Sequence, residues 1–230
     1  MSVQPTPGLK VISTLLRDDP RDALVNNHGW TLSNLPQGVT VGTSSPRRTS
    51  LVLAKRPDIH IKLLRGNVNT RLKKLDNNEY DAIILAAAGL KRLNLSDRIT
   101  EHLPIDSFIP CIGQGALGLE CRDNDTSIQE LLRPLNDRVT QQQLLAEQTV
   151  NRILKGDCHS PIGAHATFHP NTNTLTLSAF VSSLNGTNLI ETRSTRPLEQ
   201  AAQLGEEVAD ALIKQGAIAI LSNPEESSDV

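Results

Sequence analysis

Two stretches of this 230-residue chain have the residue types and spacing to do chemistry: a basic block from Arg47 to Lys74, and a glycine-flanked loop around Cys158. The block holds nine Lys/Arg against one acid, Asp58, a local net of +8 in a chain whose formal charge is −2. Its arginines fall where strands should hand over to helices. Thr43-Ser44-Ser45-Pro46-Arg47-Arg48 puts hydroxyls, free backbone N–H groups and two guanidinium groups at one helix N-terminus. Arg65-Gly66-Asn67 with Arg71 repeats the arrangement, and Lys91-Arg92 follows a third strand. A helix N-terminus favours anions through its unpaired N–H groups and its dipole. Arginine adds a planar fork that takes a carboxylate or phosphate through two bonds. If the strands are parallel, these junctions share one edge and suit a ligand with several acid groups. The competing reading is that the same arginines are solvated or pair with surface acids, which is common and worth little. A nucleic-acid ligand fits the charge but not the composition: five aromatic residues in all, and no helix-turn-helix or zinc-finger spacing.

Cys158 lies in Lys155-Gly156-Asp157-Cys158-His159-Ser160-Pro161-Ile162-Gly163, after a helix and before a strand. Cys111 and Cys121 stand in short apolar runs, as structural cysteines do, whereas Cys158 is placed like a reactive thiol. A Cys-His hydrolase pair is a further option, although sequence neighbours rarely align for proton transfer. Zinc held by Cys158, His159, His165 and His169 matches no standard ligand spacing. Three cysteines make no disulfide framework, and no secretory leader is apparent, so a reducing cytoplasm is expected, or an organelle interior if a leader was removed. No apolar run reaches the roughly 18 residues of a membrane span.

The elements that must position these groups read clearly over the first half. Strands are expected at 8–16, 23–25, 39–43, 59–63 and 81–86. Helices should run from Pro46 to Lys55, after Asn67 to Leu75, and briefly to Leu93. The continuous apolar run at 81–86 suits a strand buried on both faces of a parallel sheet, and the β-α-β-α-β-α rhythm argues for an α/β unit. A strand follows near 116–121. A helix over Val139–Leu154 carries Ala146, Val150, Ile153 and Leu154 on one face, and Gly156 is its expected C-cap. A strand from Pro161 to a turn at Asn171–Asn173, strands at 175–181 and 188–193, a helix from about Pro197 to Lys214 and a last strand over Ala217–Leu221 complete a separate α+β unit, before an acidic tail expected to be disordered. With so few aromatic residues the core must be aliphatic.

These residues resemble the porphobilinogen deaminase (hydroxymethylbilane synthase) family of tetrapyrrole and haem biosynthesis. The resemblance rests on Asp19-Pro20-Arg21-Asp22-Ala23, Val41-Gly42-Thr43-Ser44-Ser45 with Arg47-Arg48, Leu64-Arg65-Gly66-Asn67-Val68, Thr70-Arg71-Leu72, Tyr80 to Ala86, Gly89 to Leu93, Gly113-Gln114-Gly115-Ala116, and Gly156 to Gly163. They occur in the family's order along nearly the whole chain. The resemblance implies a transferase that joins four porphobilinogen units into hydroxymethylbilane, with loss of ammonia, on a dipyrromethane cofactor anchored to Cys158. It implies that Arg47, Arg48, Arg65, Arg71 and Arg92 hold the carboxylates of cofactor and substrate. Thr43, Ser44, Ser45, Gly66, Asn67 and Gln114 add hydroxyl, amide and backbone contacts.

The implied architecture is a periplasmic-binding-protein-like α/β lobe with a parallel-rich sheet, the remnant of a second such lobe, and a small C-terminal α+β domain. The expected division is 1–18 with 108–135 for the remnant, 19–107 for the arginine-bearing lobe, 136–157 for a connecting helix, 158–223 for the cysteine-bearing domain and 224–230 for the tail. A monomer is expected, with porphobilinogen as its small-molecule partner and neither nucleic acid nor membrane.

The family's catalytic aspartate belongs to a Lys-Asp pair that aligns upstream of Met1, so no catalytic residue is expected within the 230. The chain alone is then expected to turn over little. A non-catalytic polycarboxylate- or pyrrole-binding fragment, or a subunit completed by an N-terminal segment, is the alternative.

Overall fold

The structure, a computed structural model, describes residues 6–157 and 159–222; Cys158 and the expected disordered tail 224–230 lie outside the described residues. The strands are β1 Leu9–Thr14, β2 Asp22–Val25, β3 Thr40–Gly42, β4 His60–Lys62, β5 Ala82–Ala86, β6 Glu101–His102, β7 Gly118–Arg122, β8 Ile162–His169, β9 Thr174–Ser182 and β10 Leu189–Pro197. The α-helices are α1 Pro46–Lys55, α2 Val68–Asp76, α3 Ala87–Arg92, α4 Thr126–Leu132, α5 Arg138–Leu154, α6 Ala201–Lys214 and α7 Ala217–Ser222.

Five strands form the sheet that carries the basic block, in the order β4-β3-β5-β2-β6. β5 is apolar throughout because both its faces are covered. Ala82 and Ile84 join Leu24 and Val41 in one core with Leu51, Phe108 and Phe180, while Ile83 and Leu85 join Ala23 and Val25 in another with Leu64, Leu72 and Leu75. β3 runs parallel to β4 and β5, as the α/β rhythm requires. β2 does not: it pairs antiparallel with β5 and with β6, so the sheet is mixed rather than wholly parallel. That reversal sets Asp22, the first residue of β2, opposite Ala86 at the end of β5.

β1 and β7 make a separate two-stranded antiparallel sheet, accompanied by α4. Here apolar side chains remain exposed, among them Val11, Leu117, Ile128 and, at 71% exposure, Leu131. Two linkers join this sheet to the larger one and run side by side: Leu15 N–H donates to Leu117 O at 2.9 Å and Asp18 N–H to Gly115 O at 2.9 Å. Gly115 has φ +83°, and a Cβ there would sit 2.6 Å from Asp18 O, so the approach of the two backbones itself demands glycine.

The third sheet, β10-β9-β8, is antiparallel. It packs with α5 and α6 around Ala146, Val150, Leu154, Leu177, Leu204 and Val208. Phe180 of β9 instead enters the core shared with Leu51 and Phe108, which ties this unit to the five-stranded sheet.

Four local expectations need correction. Residues 217–221 form the helix α7, not a strand. Ala217, Ile220 and Leu221 pack on the core while Ile218 is exposed, an i, i+3, i+4 spacing that belongs to a helix. The left-handed residue closing α5 is Lys155, φ 54°, rather than Gly156; Gly156 is needed because a Cβ there would collide with Asn151 and Ile162. The helix from Pro197 begins only at Ala201, because β10 extends to Pro197 and a 3-10 turn occupies Leu198–Gln200. Cys111 is exposed and Cys121 half-buried, so neither is a core cysteine.

Candidate active site

Because β3, β4 and β5 are parallel, their carboxyl ends open on one edge, and the loops and helices that follow carry the arginines. The loops after β3 and β4 are built for helix starts, whereas α3 follows β5 directly, without a side-chain cap, and carries Arg92 in its last turn. Ser45 caps α1 by accepting from Arg48 N–H, Pro46 occupies the first turn, and the buried Thr43 Oγ1 accepts from Ser45 N–H at 3.2 Å. Asn67 caps α2, its Oδ1 accepting from Thr70 N–H at 2.9 Å and Thr70 Oγ1 at 3.0 Å. Gly66, at φ +121°, leaves no room for a Cβ against Thr70. Its carbonyl accepts Arg71 Nε at 2.7 Å, which fixes the Arg71 stem.

The five arginines divide into two sets. Arg47 and Arg48, 3% and 9% exposed, converge on the fully buried carboxylate of Asp22. Arg47 Nη2 donates to Asp22 Oδ2 at 2.7 Å and its Nη1 to Ile109 O at 2.8 Å. Arg48 Nε donates to Asp22 Oδ1 at 2.9 Å and its Nη1 to Ile84 O at 3.1 Å. Gln114 Nε2 donates to Pro20 O at 2.6 Å and to Asp22 Oδ1 at 3.1 Å, tying the second linker to the same group. Burial pushes the Asp22 carboxyl up, but the charges of Arg48 and Arg47 outweigh it and hold the group below the usual carboxylate range. Asp22 thus fixes the planes of both guanidinium groups.

The second set faces outward. Arg65 and Arg92 are exposed, and their side chains have no hydrogen bond or ion pair among the described residues. Arg71 is half-buried; burial, then the charge of Arg48, hold its guanidinium below the ordinary arginine value, which places two cations side by side. Ser44 is exposed, with no hydrogen bond from its hydroxyl among the described residues. The acids of the neighbouring linker are already engaged: Asp18 with Lys91 at 2.6 Å and Asp19 with Arg21 at 2.6 Å. The edge therefore keeps an excess of positive charge that a polycarboxylate would neutralise. Arg47 Nε is buried and has no hydrogen-bond partner among the described residues.

Cys158 lies outside the described residues, but the residues on either side of it are described. Asp157 Oδ1 accepts from His159 N–H at 2.9 Å and Ser160 Oγ at 2.7 Å, which ties the two flanks of the loop. Five residues beyond the cysteine, a Cβ on Gly163 would lie 2.9 Å from Ile109 O, the same oxygen that accepts Arg47 Nη1. Glycine at 163 lets the strand leaving the loop approach the arginine anchor. The histidines weighed as zinc ligands serve elsewhere: His165 Nδ1 lies 3.4 Å from Glu147 Oε1, and His169 Nε2 is 2.9 Å from Thr176 Oγ1.

The profile of the porphobilinogen deaminase dipyrromethane cofactor-binding domain matches residues 1–130, and that of the porphobilinogen deaminase C-terminal domain matches residues 141–214. The chain belongs to the porphobilinogen deaminase family. Solved structures with some likeness include a Salmonella typhimurium periplasmic binding protein with high arginine specificity, at 16% identity and TM-score 0.33, covering 57% of this chain and 58% of that one. Another is the substrate-binding protein of an amino acid ABC transporter, at 18% identity and TM-score 0.28, covering 63% and 65%. The chain thus spans 58% and 65% of those two structures. Among the described residues, no helix is long and apolar enough to cross a membrane.

Two features central to this family member were absent from the sequence-based site. Asp22 stood in a matching motif, but nothing in the sequence announced that β2 would run antiparallel and bring it under the arginines. The other is Glu147 on α5, fully buried, which accepts Arg17 Nη1 at 2.5 Å, Gly113 N–H at 2.7 Å and Ala166 N–H at 2.9 Å. Those donors come from both linkers and from β8, so one carboxylate fastens all three sheets. Its signal was present: Glu147 interrupts the apolar stripe between Ala146 and Val150, where a charge requires a partner.

Proposed function

We propose that this chain performs the polymerisation characteristic of its family, joining four porphobilinogen units and releasing hydroxymethylbilane and ammonia. The observation that carries the reading is the surplus of guanidinium groups at one sheet edge, with the Cys158 loop leading into a strand that touches the anchor of Arg47. Each pyrrole unit brings an acetate and a propionate, so a growing oligomer gains carboxylates at every addition.

The residues present fit a dipyrromethane group on Cys158. Arg65, Arg71 and Arg92 would take its carboxylates and those of incoming units through charge-assisted bonds, and Ser44 would add a hydroxyl donor. Arg47 and Arg48 would offer only the donors that Asp22 and the Ile109 and Ile84 carbonyls leave free. Thr43, Ser45, Gly66, Asn67 and Gln114 would act by shaping the loops that present these groups. When bound, the cofactor supplies the free pyrrole carbon to which the next unit is joined. The protein's part is to hold successive acid side chains in register, so that the aminomethyl carbon of porphobilinogen meets that carbon as ammonia departs.

The same reading divides the chain into 1–18 with 108–135, 19–107, 136–157 and 158–223, acting as a cytoplasmic monomer. The 230 residues alone would turn over slowly. Support comes from Asp22: the carboxylate buried among the arginines is already neutralised by two of them and is poorly placed to stabilise positive charge on a substrate. The exposed Val11, Leu117, Ile128 and Leu131 suit a surface that a further N-terminal segment would cover.

Ammonia release from porphobilinogen tests this. The chain should release it at least about a hundredfold more slowly than a full-length family member, the effect of losing a group that stabilises transition-state charge. Equal rates would refute the incomplete-site reading. No pyrrole binding at all would refute the functional assignment.

A further inference from the structure

Helix α1 carries Arg47 and Arg48 in its first turn, yet two units of the fold hold it. Its Leu51 shares a core with Phe180 of β9, and Leu189 of β10 packs against that core. The turn between β9 and β10 also rests on the helix backbone. Gly186, buried in that turn, leaves no room for a side chain: a Cβ there would collide with Ala54 N and lie 2.6 Å from Ser50 O. Ser50 O and Ala54 N are the two ends of one i to i+4 step of the helix. The turn therefore presses on α1 just beyond its arginines. Ser50 is fully buried, and its Oγ donates to Arg47 O at 3.0 Å.

Side chains inside the turn hold its shape. Asn185 Oδ1 accepts Ser183 Oγ at 2.7 Å, Thr187 N–H at 3.1 Å and Thr187 Oγ1 at 2.8 Å. Ser183 N–H donates to Asn188 O at 2.8 Å, Asn188 N–H to Ser183 Oγ at 3.0 Å, and Gly186 N–H to Ser183 O at 3.1 Å. These bonds fix the height at which the Gly186 backbone meets the helix. The same sheet reaches the arginines a second time. A Cβ on Gly163 of β8 would lie 2.9 Å from Ile109 O, which accepts Arg47 Nη1 at 2.8 Å. Gly163 and Gly186 thus bracket α1, one against the oxygen that anchors its first arginine and one against its backbone. A shift of α1 relative to this sheet would stretch the Arg47–Ile109 bond and disturb the Asp22 carboxylate that Arg47 and Arg48 share.

We propose that Asn185 and Gly186 are positioning residues: their turn sets the placement of α1 and, through the helix, aims Arg47 and Arg48. The consequence for pyrrole addition rests on the function proposed above. The placement of the helix does not.

Two variants disturb the turn, and two controls separate placement from strain. Gly186→Asn adds a Cβ against the helix at φ +75°, a backbone that asparagine tolerates. Gly38→Asn adds the same side chain at the same φ, with nothing within 4 Å. Asn185→Ala removes the acceptor of three bonds, and Asn185→Asp restores it. Urea unfolding confirms that each protein is folded. Hydrogen exchange at the amides of residues 51–55, measured without any pyrrole, should rise relative to β5 in Gly186→Asn and Asn185→Ala and stay unchanged in the controls. After exposure to porphobilinogen, mass spectrometry of the Cys158 peptide gives the rate of pyrrole addition. The first two variants should slow it roughly tenfold, part of the roughly hundredfold that a misplacement of about 1 Å can cost. Both controls should match wild type, and alkylation of Cys158 by iodoacetamide should be equal throughout. If Gly186→Asn does not fold, the Asn185 pair decides. Unchanged helix exchange in the first two variants would overturn the placement. Wild-type pyrrole addition on a loosened helix, or equal slowing in Gly38→Asn, would overturn the aiming. No addition in the wild type would sink the proposed function and the aiming with it, while helix exchange would still decide the placement.

Discussion

Asp22→Asn is expected to lower folding stability by about 3–5 kcal/mol, because it removes the carboxylate shared by two deeply buried guanidinium groups. The amide keeps the size of the side chain but not its charge, so Arg47 and Arg48 would face each other uncompensated. Nearby carbonyls of Ile109 and Ile84 accept one bond from each arginine and cannot neutralise either. The pH dependence has a definite sign. The folded pKa lies below the ordinary 3.8, so the contribution is complete above that value and lost as pH falls through the folded pKa. Urea unfolding should show a large gap between wild type and variant at pH 7 that narrows below about pH 4. Adding Arg48→Met to the variant should recover part of the loss, since the two sites share one network. A loss under about 1 kcal/mol would mean that the pairs behave like solvated surface bridges.

The second large effect concerns Glu147. Its carboxyl is fully buried, which alone would raise its pKa, yet the Arg17 charge and the His165 contact bring it from 4.5 down to about 2. Through linkage this shift corresponds to roughly 3 kcal/mol of stability. The contribution is present above about pH 4.5 and fades as pH falls toward 2. Glu147→Gln should therefore cost about 3–5 kcal/mol at neutral pH, since it strands the buried Arg17. The damage should also loosen the joints between the sheets, because the Gly113 and Ala166 amides lose a charged acceptor. Hydrogen exchange at those two amides should rise more than exchange within β5. A variant in which exchange rises uniformly would argue that Glu147 is an ordinary core contact rather than a fastening point.

Much of the fold was legible because it is written in local patterns. The Ser45-Pro46 start of α1, the Asn67 cap of α2 and the two-faced apolar run of β5 each follow from neighbouring residues. Strand direction does not. Nothing between Asp22 and Val25 distinguishes a parallel from an antiparallel partner, and that choice decides whether Asp22 lies under the arginines or at the far edge. The same limit made Ala217–Leu221 look like a strand: five apolar residues suit either element until packing selects one face. Within the site, the sequence identified the arginines as a class but could not separate those anchored by a distant acid from those left open to a ligand. Burial and pairing make that division, and they arise from contacts between residues far apart in the chain, such as Arg17 with Glu147.

The proposed reaction requires a pyrrole oligomer tethered at Cys158 and gripped by the open arginines. Mass spectrometry of the Cys158 peptide, after exposure of the protein to porphobilinogen, tests this most directly. The expected result is an added mass of two porphobilinogen units less two ammonia, present in wild type and sharply reduced in Arg71→Leu without loss of folded protein. An unmodified thiol in the wild type, or an adduct equally abundant in the arginine variant, would contradict it.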